Sequence, residues 1–210
     1  MLKDGIPVIY QGQEQHYAGK DTPFNREALW LSSYPTTSAL YTWIAKLNQI
    51  RTQAASQDPN GYLTYKTNTI YSDAHTIATR KGNPGSQLIG VFTNVGSSSS
   101  PISITLASSA TGFTANQPLV DVMSCSSFTT DSSGNVAATL TGGAPRVLYP
   151  LARLSGSNIC PSLGGTATLT TPTATPTGKL ATILPHLLPL NPIGLAQKDS
   201  TFIALRAHLP

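Results

Sequence analysis

The residues best suited to chemistry gather near the start of the chain. Glu14, Asp21 and Glu27 stand on either side of Arg26 in and beside a polar segment, Gln11 to Arg26, with His16 and Tyr17 among them. Carboxylates working as a general acid and base must face each other across a substrate. Three acids strung along one loop give no sign of such opposition, and Glu27 beside Arg26 is a ready ion-pair partner. Glu14 reads as a buried acid holding the loop, while His16 and Tyr17 suit either stacking on a ligand or plain loop packing. The four histidines, His16, His75, His186 and His208, have no metal-ligand spacing. His75 reads as structural. Trp30 and Trp43 sit among apolar neighbours and read as core. Cys125 and Cys160 are either two buried thiols or one disulfide. The Ser/Thr-rich surroundings favour the bridge, which would close a loop of about 35 residues and restrain the unfolded chain by roughly 3–4 kcal/mol.

These groups need elements to hold them. Gly5-Ile6-Pro7-Val8-Ile9-Tyr10 is a short apolar run that predicts a buried strand of the parallel kind. A long aperiodic loop follows, and loops of that length in a compact domain are commonly functional. From about Thr37 to Ser56, Leu40, Trp43, Ile44, Leu47 and Ile50 recur at helical spacing, with Thr36, Thr37 and Ser38 as candidate caps and Asp58-Pro59-Asn60-Gly61 as the stop. Residues 1–57 therefore predict one β/α unit. From 58 to 163, short β-like runs recur between turn residues: Tyr62–Tyr65, His75–Arg80, Gln87–Asn94, Ile102–Ala107, Leu119–Met123, Val136–Leu140 and Arg146–Tyr149. Asn83-Pro84-Gly85 and Asp131-Ser132-Ser133-Gly134-Asn135 predict hairpin turns, and Leu88-Ile89-Gly90-Val91-Phe92 predicts the central strand of an antiparallel sandwich. Residues 164–178 read as a Thr/Pro-rich linker and 179–210 as a disordered Leu/Pro-rich tail.

Composition narrows the classes. Charged residues are 10% of the chain against roughly 25% in ordinary soluble domains, the pattern of β-rich extracellular proteins. A net charge of +4 without a basic stripe argues against nucleic-acid binding, and no apolar run reaches membrane-spanning length. Met1-Leu2-Lys3-Asp4 carries no basic-then-apolar secretion signal. An extracellular type of domain without one leads us to expect a missing front.

Three stretches carry a resemblance. Gly5 to Tyr17 closely resembles the eighth barrel strand and following loop of fungal α-amylases. Asn25-Arg26-Glu27-Ala28-Leu29-Trp30-Leu31 is similar to the end of that loop, and Gly142-Gly143-Ala144-Pro145-Arg146-Val147-Leu148-Tyr149-Pro150 to the last strand of the same enzymes' C-terminal sandwich. The likeness covers roughly residues 4–163. It implies a mixed fold, α/β plus all-β: the last β/α unit of a TIM (β/α)8 barrel, then an antiparallel Greek-key β-sandwich, then the tail. It implies the retaining endo-hydrolysis of α-1,4-glucosidic bonds in starch, chemistry that uses a carboxylate nucleophile and a carboxylic acid/base about 5–5.5 Å apart. In the family those carboxylates and the calcium ligands lie on earlier strands, so the expectation here is no catalytic residue, no metal ligand and no activity of the chain alone. The resemblance assigns Arg26 to sugar hydroxyls near the cleavage point. Its usual aspartate partner is replaced by Thr22, with Asp21 one place earlier. It also implies a Cys125–Cys160 disulfide, an α-glucan as the partner of the intact parent, a monomeric state and an extracellular location. The alternative is a non-catalytic sandwich that binds or stabilises.

Overall fold

A computed structural model of the chain describes residue 2 and residues 4–164. They lie within one compact unit, Met1–Thr170; the remainder, Thr171–Pro210, falls outside the described residues, as do the expected linker and tail beyond Gly164.

Among the described residues, eight strands form two antiparallel sheets. β1 (Asn68–Ser72), β2 (Thr76–Lys81), β3 (Leu88–Thr93), β5 (Pro118–Asp121), β6 (Ser126–Thr129) and β8 (Arg146–Pro150) make a six-stranded sheet in the order β1-β2-β3-β8-β5-β6. β4 (Ile102–Leu106) and β7 (Val136–Leu140) pair in a second sheet. α1 (Ala39–Gln57) lies outside the larger sheet, and a single helical turn, α2 (Ser108–Thr111), follows β4. Two cores result. One lies between the sheets and gathers Ile89, Val91, Leu119 and Leu148 against Ile104, Leu106, Val136, Ala138 and Leu140. The other lies under α1, where Ile50 and Ala54 meet Tyr62, Leu88, Val120, Val147 and Tyr149. Successive residues of a strand point to opposite faces, so Val147, Leu148 and Tyr149 feed the two cores in turn. β3 is apolar on both faces for that reason and sits third of six, as its sequence predicts. β4 and β7 alternate buried with exposed residues because only one of their faces is covered.

Several expectations are corrected. Residues 6–10 form no strand: a strand needs a ladder partner, none is present among the described residues, and Ile6 and Val8 are 91% and 83% exposed. Tyr62–Tyr65 is a turn rather than a strand, although Tyr62 itself is fully buried. The strands β1 and β6 arise where none is predicted. Asn83-Pro84-Gly85 does turn the β2–β3 hairpin, Ser86 N–H closing on the Asn83 carbonyl at 3.1 Å. Asp131 to Asn135 instead carries the chain from one sheet to the other. Its Asp131 carboxylate accepts from the Asn135 side chain, the Asn135 amide and the Ser133 amide, and these bonds, the first above all, hold its pKa below the ordinary value.

Tyr62 and Tyr149 bury their hydroxyls without a partner among the described residues, and burial pushes the Tyr62 phenol up to about 12 and raises that of Tyr149. Lys81 is buried too, but its ammonium is satisfied. It donates to Asp4 Oδ1 at 2.8 Å and to the Tyr65 carbonyl at 2.7 Å, and lies 5.4 Å from the centre of the Tyr62 ring. Asp4 also accepts from the Thr67 amide and hydroxyl, so it is tied to the residue just before β1. The bond from Lys81, then that from the Thr67 amide, lower the Asp4 pKa to about 2. A depressed carboxylate stabilises the fold above its unfolded pKa and loses that contribution as pH falls through the folded one. The melting temperature is therefore expected to fall between about pH 4 and pH 2, and Asp4→Asn to flatten that part of the profile. An unchanged profile in the variant would remove Asp4 from the account.

Candidate functional site

The loop from Gln11 to Pro35 is stitched to the N-terminus of α1. Ser38 caps the helix, accepting from the Tyr41 amide at 3.4 Å, and its hydroxyl donates to the Glu14 carbonyl. Gln15 Nε2 donates to the Pro35 carbonyl at 3.1 Å. Glu14 is half-buried rather than buried, and does hold the loop: its carboxylate accepts from the Gly12 amide at 3.0 Å. The Tyr17 hydroxyl reaches the Ala28 carbonyl at 3.1 Å, and its ring lies against Gly12. Gly12 is required there twice over. Its φ is +88°, and a Cβ would stand 2.4 Å from the Tyr17 ring. Tyr17 is thus a packing residue, while His16 is exposed in the left-handed region.

Beyond these anchors, residues 18–27 project into solvent. Arg26, Asp21 and Thr22 are all exposed. Lys20, Pro23, Phe24, Arg26 and Glu27 line an open depression of about 490 Å³. Phe24 is exposed, with the Lys20 ammonium 5.9 Å from its ring centre. The Asp21 carbonyl accepts from the Phe24 amide at 2.8 Å, closing the turn that presents Arg26. No ion pair joins Arg26 to Asp21 or Glu27, because the two ion pairs among the described residues are Lys81–Asp4 and Arg146–Asp121. An uncommitted guanidinium beside an exposed ring offers donors and a stacking face, which is the equipment for holding a polyhydroxyl ligand. The position of Phe24 within that depression has no periodic signal in the sequence.

Trp30 and Trp43 depart from their expected place in the core, at 68% and 40% exposed. The Trp30 turn, Leu29–Ser32, packs on nothing that covers its ring, and Leu31 beside it is equally open. On α1 the buried residues, Ile50, Gln53 and Ala54, all lie in the C-terminal half, leaving Trp43 at the margin. His75 is structural as expected. It precedes β2, its amide donates to Asp73 Oδ1 at 2.7 Å, and its ring pairs with Asn94 Oδ1 at 3.2 Å. His186 and His208 lie outside the described residues. Cys125 and Cys160 are joined, with Cα atoms 5.3 Å apart. No group of three or more His, Cys, Asp or Glu among the described residues is placed to hold a metal ion. No helix of the described residues is long and apolar enough to cross a membrane.

Comparison with known proteins bears on this geometry. Residues 69–168 match the family model for alpha-amylase, domain C. Alpha-amylase 1 of Schwanniomyces occidentalis is 48% identical over 160 residues, which are 76% of this chain and 30% of that protein. Alpha-amylase 1 of Lipomyces kononenkoae is 51% identical over 160 residues, 76% of this chain and 25% of that protein. Among solved structures, an alpha-amylase from Malbranchea cinnamomea aligns with a TM-score of 0.70 at 43% identity, covering 76% of this chain and 32% of its own. The chain thus spans less than a third of the length of the curated relatives named here.

Proposed function

We propose, on the premise that this chain belongs to the α-amylase family and that residues 69–168 are its domain C, that it serves the endo-hydrolysis of α-1,4-glucosidic bonds in starch as a C-terminal part of such an enzyme. In this reading, residues 1–57 are the eighth β/α unit of a (β/α)8 barrel and the sheets are a Greek-key sandwich that braces it. The nested pairing of β3 with β8 and β4 with β7 supports the Greek key. The exposed run Ile6–Tyr10 supports the barrel unit, being an apolar strand sequence that pairs with no strand among the described residues. Loops after the strands of such a barrel form its catalytic face, and the segment that presents Arg26 is the loop after that run. Arg26 then holds sugar hydroxyls, with Asp21 and Thr22 in the turn before it, and the reacting carboxylates and any calcium come from elsewhere in the enzyme. The disulfide and the low charge support an extracellular location.

The observation that carries this reading is the 48% identity over 160 residues, a longer stretch than the residues 69–168 that match domain C. The test is a chimera in which residues 4–163 replace the matching part of the Schwanniomyces enzyme. It is expected to hydrolyse starch, and Arg26→Ala is expected to lower kcat/KM by about 10- to 100-fold, the loss of hydrogen bonds from a charged group. A folded chimera without activity, or one indifferent to Arg26→Ala, would refute the corresponding part of the proposal. The 210-residue chain alone is expected to show no turnover of a blocked maltoheptaoside.

A further inference from the structure

A second concave surface, sharing no lining residue with the Arg26 depression, has the composition of a ligand site. It lies where the N-terminal half of α1 passes the ends of β5, β6, β7 and β8, and is lined by Trp43, Ser126, Thr139, Thr141 and Arg146, with Asp121 in its floor. Trp43 is 40% exposed and forms one wall. Hydroxyls face it from two sheets. The charges nearby are spent: Arg146 Nε is bonded to Asp121 Oδ2 at 3.2 Å with its guanidinium over the Phe128 ring, and Lys46 Nζ donates to the Met123 carbonyl at 2.8 Å. An anion would find no free cation here. An apolar group would cover hydroxyls that each have one protein partner, Thr139 with Ser103 at 2.9 Å and Ser126 with Ser124 at 3.1 Å, and would deprive them of their remaining bonds to water. A neutral polyhydroxyl ligand satisfies both walls, its apolar ring face on the indole and its hydroxyls on the serine and threonines. The floor is rigid because Asp121 also accepts from the Val147 and Met123 amides, so little ordering is needed on binding.

We infer that this groove is a saccharide-binding site separate from the Arg26 loop, with Trp43 as its stacking platform. Its assignment to an α-1,4-glucan, as opposed to another neutral chain, rests on the proposed function; the groove itself does not.

The chain has two tryptophans, so Trp30→Phe leaves Trp43 as the sole indole reporter. Titration of that full-length variant with maltoheptaose is expected to shift the Trp43 emission saturably. Calorimetry on the otherwise unaltered chain is expected to show affinity falling about 10-fold or more in Trp43→Ala. Thr139→Ala, a change at an exposed position, is expected to weaken binding with an unchanged melting temperature, and Arg26→Ala is expected to leave the Trp43 response intact. An unresponsive Trp43, or binding equal in Trp43→Ala and the parent, overturns the inference. Loss of binding in Arg26→Ala alone also overturns it while sparing the loop assignment. A Trp43 response to cellohexaose equal to that with maltoheptaose keeps the groove and overturns its α-glucan assignment.

Discussion

Replacing both cysteines, Cys125→Ala with Cys160→Ala, is expected to cost about 2–5 kcal/mol, seen as a melting temperature lower by roughly 4–20 °C. The bridge spans a sequence separation of 35 and joins the turn after β5 to the segment that follows β8. That segment, residues 151–160, contains no strand. Its other anchors are the buried side chains Leu154 and Ile159, the bond from Arg153 Nε to the Gly85 carbonyl at 2.9 Å, and the bond from Gln53 Nε2 to the Arg153 carbonyl at 2.6 Å. Alanine is chosen because Cys160 is buried, and a serine there would add an unpaired hydroxyl to the restraint being measured. The same drop is expected on reduction of the native chain. If the double variant melts within about 2 °C of the parent, a difference below 1 kcal/mol, burial of Leu154 and Ile159 holds the segment and the covalent bond is incidental to stability.

Local signals account for what is legible in the sequence. α1 is readable because Leu40, Trp43, Ile44, Leu47 and Ile50 keep a helical period and Ser38 is a good cap, a role it fulfils. β2, β3, β4, β5, β7 and β8 are readable from alternating or continuous apolar runs. β1 and β6 are not: Asn68-Thr69-Ile70-Tyr71-Ser72 and Ser126-Ser127-Phe128-Thr129 are edge strands dominated by hydroxyl side chains, and they bury too little to leave a pattern. The stripe on α1 misleads about Trp43 because period reports a face and not how much of it a neighbour covers. Ile6–Tyr10 fails for a related reason, since strand propensity is realised only against a partner.

The candidate site divides the same way. Arg26 is singled out by resemblance to a family motif, and no feature of its local spacing would have chosen it. Phe24 and the Trp43 groove depend on elements brought together from distant parts of the chain. The charged pairs are equally hidden, because Lys81 meets Asp4 across a separation of 77 and Arg146 meets Asp121 across 25. Neither distance has a local signature.

Asp121→Ala is expected to be the most damaging single substitution of a polar residue, costing about 3–5 kcal/mol. Its carboxylate is 5% exposed and organises the end of the larger sheet. Oδ1 accepts from the Val147 and Met123 amides, each at 3.1 Å, while Oδ2 accepts from the Ser124 hydroxyl at 2.9 Å and from Arg146 Nε at 3.2 Å. Alanine strands two backbone amides and a guanidinium that is itself only 19% exposed, and each buried donor left unpaired costs about 1–3 kcal/mol, more where charged. Asp121→Asn separates shape from charge. It keeps the volume and one acceptor but turns an amide donor toward groups that are donors already, so a loss of about 1–3 kcal/mol is expected. Urea denaturation of the three proteins should rank them parent, Asn, Ala in order of falling midpoint with similar slopes. If Asn and Ala prove equal, the Arg146 pair carries the effect. If both stay within about 0.5 kcal/mol of the parent, as ordinary surface changes do, the carboxylate network contributes nothing to stability.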